Sequence, residues 1–156
     1  QAFRLVDRAV DMGLDGYRED MFADGKFKSE SSEGDKFDAQ SPMYQYLSKL
    51  ARLRKDLPAL RRGEQFIRWS DPNGPGIYAF SRIYQGQEVL VVMNTAGEAR
   101  QAEMWVDAGL TPAGSLLGDE LDPGYKTRAF SPAGGGAKAA VVIPPHGVRV
   151  LVRRAQ

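Results

Sequence analysis

The residues able to do chemistry are few, and their spacing limits what that chemistry can be. The single histidine, His146, sits in Pro144-Pro145-His146-Gly147. A Ser–His–Asp or Cys–His site would need it as base, and a zinc site would need companions that it lacks. It reads instead as a polar turn residue entering the last strand. The absence of cysteine removes the thiol nucleophile, the disulfide framework and the cysteine zinc sites together. Asp7, Asp11, Asp15 and Glu19 recur every four residues, so a continuous helix would stack them and offer oxygen ligands to calcium. Gly13 and Gly16 interrupt that helix and the calcium-loop pattern is missing, which leaves a solvated acidic surface. A carboxylate pair could serve glycoside hydrolysis as acid and nucleophile about 5 Å apart. No pair stands out by spacing, so no catalytic residue, metal or cofactor is assigned.

Two further motifs reduce to structure. Gly134-Gly135-Gly136-Ala137-Lys138 lacks the register of a phosphate-binding loop and reads as a β-hairpin connection. Lys49, Arg52, Arg54, Lys55, Arg61 and Arg62 form a basic cluster, but no aromatic platforms interleave with it, and nucleic acid is not an expected partner. Trp69, Trp105, Tyr78, Tyr84 and Tyr125 could stack on sugar rings or pack on sheet faces. Of these, Trp69 and Trp105 are the candidates for sugar contact.

The elements that must position these groups change character along the 156 residues. A chain of this length buries roughly 70% of its unfolded surface, enough to fold without disulfides. The net charge of +1 hides an asymmetry. Residues 1–40 hold ten acidic and six basic side chains, whereas the remainder holds ten and fifteen. No apolar run approaches the ~20 residues of a membrane span, so no membrane contact is expected.

Phe3, Val6 and Val10 predict a helix over residues 2–12. Residues 25–40 are polar apart from Phe27 and Phe37 and predict a loop. Ser41 as N-cap, Pro42 at the first helical position and Met43, Tyr46, Leu47, Leu50, Leu53 and Leu57 at helical spacing predict a helix over 42–57, stopped by Pro58. After Gly63, short apolar runs alternate with Gly, Pro and Asn: 65–69, 77–84, 88–94, 102–106, a weaker 115–117, 139–143 and 148–153. About seven strands in roughly 95 residues predict a mainly β fold with N-terminal helices, an antiparallel Greek-key β-sandwich. Tyr84-Gln85-Gly86-Gln87 predicts a tight hairpin.

Three stretches together resemble the C-terminal part of an α-amylase-family enzyme, glycoside hydrolase family 13. Asp15-Gly16-Tyr17-Arg18-Glu19-Asp20-Met21-Phe22 resembles the segment after the family's eighth barrel strand. Ser41-Pro42-Met43-Tyr44-Gln45-Tyr46-Leu47, continuing through Leu57-Pro58-Ala59-Leu60-Arg61-Arg62-Gly63, is similar to its last barrel helix. Ile77-Tyr78-Ala79-Phe80-Ser81-Arg82, Val89-Leu90-Val91-Val92-Met93-Asn94 and Ile143-Pro144-Pro145-His146-Gly147-Val148 resemble strands of its C-terminal β domain. The resemblance implies that residues 1–62 are a remnant of the catalytic (β/α)8 barrel and residues 63–156 the all-β domain. It implies a parent that hydrolyses or transfers α-glucosidic bonds, often an exported one, while nothing in this chain matches the motifs bearing the catalytic carboxylates. The resemblance also implies that Arg18 helps to hold a sugar, with a structural salt bridge as an equal contender. The implied partners are the barrel, an α-glucan, or a second copy associating through the helix at 42–57, whose apolar stripe should not stay bare. The alternative reading is a module that binds starch or maltooligosaccharides.

Overall fold

A computed structural model describes residues 39–155. The helix expected at 2–12, the loop over 25–38, the acidic series and Arg18 lie outside the described residues. The chain divides into two compact units, Gln1–Ser48 and Lys49–Gln156.

In the first unit, helix α1 (Pro42–Asp56) begins as its sequence dictates. The Ser41 hydroxyl accepts the backbone N–H of Tyr44 at 3.2 Å, and the Ser41 carbonyl accepts that of Gln45 at 3.0 Å. This satisfies one of the donors that every helix start leaves open. Met43, Tyr44, Tyr46 and Leu47 on these first turns are exposed.

The second unit holds the end of α1, a single helical turn α2 (Ala59–Arg62) and eight strands. Pro58 ends α1 as expected, but it does not end the helical path. Its own backbone is helical, and its carbonyl accepts the N–H groups of Arg61 and Arg62. The strands are β1 (Glu64–Ser70), β2 (Ile77–Tyr84), β3 (Gln87–Asn94), β4 (Arg100–Val106), β5 (Leu116–Asp119), β6 (Lys126–Phe130), β7 (Ala137–Ile143) and β8 (Val148–Arg153).

All paired neighbours are antiparallel, in the order β1-β2-β3-β8-β5-β6-β7-β4. Strands β5, β6 and β7 follow one another and β8 returns beside β5, which is the Greek-key arrangement. The sheet becomes a sandwich at β6. Its first residues pair with β5, with Leu116 opposite Arg128, and its last pair with β7, with Ala129 opposite Ala139. One strand thereby serves both layers, as strands at sandwich corners do.

The core between the layers is built by alternation. Ile77 and Ala79 of β2, Leu90 and Val92 of β3, Ala102, Met104 and Val106 of β4 and Ala139, Val141 and Ile143 of β7 meet there. The apolar run of β3 continues on both faces because its other side is also covered. Val89 and Val91 join Val150 and Val152 of β8 beneath Leu53, Leu57, Ala59 and Leu60. Leu53 and Leu57, the C-terminal members of the helical stripe, thus pack on this sheet. Between β2 and β3, Gln85 (φ 46°) and Gly86 (φ 78°) make the tight turn with positive φ at both central positions, matching strand twist.

A buried cation ties the layers together. Arg149 of β8 donates to Asp119 at 2.9 Å and to the Val142 carbonyl of β7, and its guanidinium lies 3.4 Å from the centroid of the Tyr125 ring. Asp119 also accepts the N–H of Val150 at 3.0 Å, so the carboxylate and guanidinium are both hydrogen-bonded in a dry setting.

Candidate functional site

Strand alternation decides where each tryptophan goes. On β4, Ala102, Met104 and Val106 are buried, which forces Gln101, Glu103 and Trp105 outward. Trp105 stands opposite Lys138 of β7, and Lys138 stands opposite Phe130 of β6. The Lys138 ammonium lies 4.7 Å from the centroid of the Trp105 ring, and Trp105 is 47% exposed. Gly134, Gly135 and Gly136, between β6 and β7, all have positive φ, a run that only glycine adopts without strain. A Cβ on Gly136 would come within 2.9 Å of the Trp105 ring, so the turn backbone abuts the indole. The glycine run is a hairpin connection, as its sequence suggests.

Trp69 serves a different neighbourhood. It lies on edge strand β1, where an irregular register between Ile67 and Trp69 aligns it with Ala79. Its indole N–H donates to Asp71 at 2.8 Å, and the other Asp71 oxygen accepts the N–H of Ile77. The Ile77 hydrogen bond first, and the Trp69 one second, hold the Asp71 carboxyl below its ordinary pKa. Arg100, at the start of β4, adds a smaller attraction. Trp105 is five residues further along β4, about 17 Å at strand rise. The two tryptophans have different contacts: Trp69 holds Asp71, whereas Trp105 lies against Lys138 and Gly136.

The other aromatic candidates pack. The Tyr125 hydroxyl accepts the N–H of Val142 at 2.9 Å beneath Arg149, and Tyr84 joins the cluster under the helices. His146 occupies the β7–β8 turn with φ 49°, and its N–H donates to the Ala96 carbonyl.

A cavity of about 430 Å3 opens beside the β2–β3 turn, lined by Glu88, Leu110, Thr111, Arg153 and Arg154 among others. The buried Glu88 carboxylate accepts from Arg68, Ser81, Thr111 and the backbone N–H of Asp107. Arg153 donates to the Leu110 carbonyl and Arg154 pairs with Glu120 at 2.8 Å. Glu88 anchors the loop after β4 to β3 and Arg153 anchors it to β8, and sequence reading missed them because no motif marks a satisfied buried acid. Among the described residues, no group of three or more His, Asp or Glu side chains could hold a metal ion. No helix among them is long and apolar enough to cross a membrane.

No family model matches the chain. It is 37% identical over 118 residues to an α-amylase of Streptomyces lividans, covering 74% of this chain and 12% of that protein. It is 37% identical over 60 residues to a β/α-amylase of Paenibacillus polymyxa, covering 38% of this chain and 5% of that one. Among solved structures, it resembles the α-amylase of Geobacillus thermoleovorans complexed with acarbose, with a TM-score of 0.62 at 22% identity over 77% of this chain and 24% of that one. It also resembles CldA, a cyclomaltodextrin glucanotransferase with a three-domain ABC distribution, with a TM-score of 0.62 at 21% identity over 92% of this chain and 29% of that one. The chain thus spans about an eighth or less of the curated relatives it matches. About three-quarters of this chain is thus homologous in sequence to part of an α-amylase, and its β domain shares the fold of α-amylase-family enzymes, in line with the resemblance to the C-terminal part of such an enzyme.

Proposed function

We propose that this chain is the C-terminal part of an α-glucan-acting glycosidase or transglucosidase, and that it braces a catalytic barrel without contributing catalytic carboxylates. Residues 1–62 are then the end of the barrel and residues 63–156 the β domain. The observation that carries this reading is the division of one helix. Leu53 of α1 and Leu57 just after its end pack on the outer face of β3 and β8, while Met43, Tyr44, Tyr46 and Leu47 are exposed. Apolar side chains exposed on a helix whose other end is anchored suit a second folded body, and the relatives have most of their length elsewhere. The occupant of this face is the barrel, in keeping with the resemblance of this helix to the family's last barrel helix.

Mixing the chain with the separately produced barrel of a family member tests this. Association seen by sedimentation, and weakened about tenfold or more by Leu47→Asp, is expected. Equal association of the variant, no association, or occupation of the face by a second copy would overturn the bracing role.

A further inference from the structure

We propose that the outer face of β4 and β7 is a binding platform for an α-glucan chain, with Trp105 as its stacking surface. The choice of ligand rests on the α-glucan reading above, whereas the platform rests on geometry.

The two outer faces of the sandwich differ. Over β3 and β8, Val89, Val91, Val150 and Val152 are covered by Leu53, Leu57, Ala59 and Leu60. Over β4 and β7, Glu103, Trp105 and Val142 are exposed. The Trp105 indole is about half exposed, which leaves part of its surface open to a flat ligand. The Gly136 backbone abuts one edge of the ring, which limits its rotamers before any ligand arrives.

The surroundings of the ring select the ligand class. A hexose has an apolar C–H face ringed by hydroxyls, so it needs an aromatic surface bordered by donors and acceptors. Trp105 supplies the surface, Lys138 the donors, and Glu103, two residues along the same face, an acceptor. The Lys138 ammonium now rests over the ring at 4.7 Å, a weak contact at an exposed site, and it can exchange the ring for a sugar hydroxyl. A protein partner suits this face less well. Trp105 and Val142 are its only exposed large apolar side chains, and a stable protein interface needs about 800 Å2 per partner around an apolar centre.

Calorimetric titration of the whole chain with maltoheptaose, and separately with cellohexaose, tests the proposal. Maltoheptaose should give a saturable signal and cellohexaose a weaker one. Trp105→Ala should lower the maltoheptaose affinity about tenfold or more with an unchanged circular dichroism spectrum. Lys138→Ala should lower it severalfold, and Arg62→Ala, on helical turn α2 over the other outer face, should leave it unchanged. No saturable binding by the wild-type chain, equal binding by Trp105→Ala, or tighter binding of cellohexaose would overturn the platform or its ligand. So would loss of self-association in Trp105→Ala without any sugar binding. Leu47→Asp should leave this titration unaltered, so failure of the platform and failure of the bracing role are read separately.

Discussion

The indole N–H of Trp69 donates to one oxygen of Asp71 at 2.8 Å while the backbone N–H of Ile77 donates to the other, closing the loop between β1 and β2. Gly76 lies so close that a Cβ there would overlap the Asp71 side chain. Trp69 thus acts as a clasp on this loop, and its polar edge is already used.

That clasp carries a pH signature. The hydrogen bonds from Ile77 and Trp69 lower the Asp71 pKa in the folded state. Its contribution to stability is therefore full above the unfolded carboxyl pKa, about 3.9, and is lost as pH falls through the lower folded value. Trp69→Phe removes one donor and should raise the Asp71 pKa, as followed by carboxyl chemical shift in an acid titration. An unchanged Asp71 titration would mean that the indole does not hold the carboxylate.

Arg149→Ala should destabilise the domain by about 3–5 kcal/mol, because it leaves the buried Asp119 carboxylate without its cation. Urea unfolding of wild type and variant measures this. A loss below about 1 kcal/mol would show that water or another donor replaces the guanidinium.

Gly136→Ala should cost roughly 1–2 kcal/mol from its positive φ alone. The new Cβ also meets the Trp105 ring, so the variant should alter tryptophan emission as well as the melting temperature. Gly86→Ala, in the β2–β3 turn, also has positive φ but meets no neighbour within 4 Å, and it should lower stability without changing the emission.

Much of this fold was legible because its signals are local. Ser41 and Pro42 start α1, the 3-4 spacing of its leucines carries it, and β2 and β8 show alternation in their own residues. Strand β6 was not legible. Lys126-Thr127-Arg128-Ala129-Phe130 buries only Ala129, so its sequence has no apolar alternation to read. It exists because β5 and β7 each need a partner at the corner. Helical turn α2 was missed for a related reason, since Pro58 stops α1 through its missing N–H yet permits a new turn through its helical φ.

The candidate site was legible as residue types, not as places. Trp69 and Trp105 were both read as sugar contacts. Nothing local distinguishes an indole clasped to Asp71 from one lying against a glycine turn. That distinction depends on pairings such as Trp105 with Lys138, which join residues far apart in the chain. The fate of the leucine stripe was equally hidden, because a helical pattern names an apolar face without naming what covers it.

On the proposed reading, the chain supports glucan chemistry and does not perform it. Incubating the purified chain with soluble starch and measuring reducing ends tests this most directly, with a complete family member as positive control. No release above the no-protein blank is expected at any pH between 5 and 8. Release that scales with the amount of chain, and that disappears on Glu19→Gln or Asp20→Asn, would contradict it.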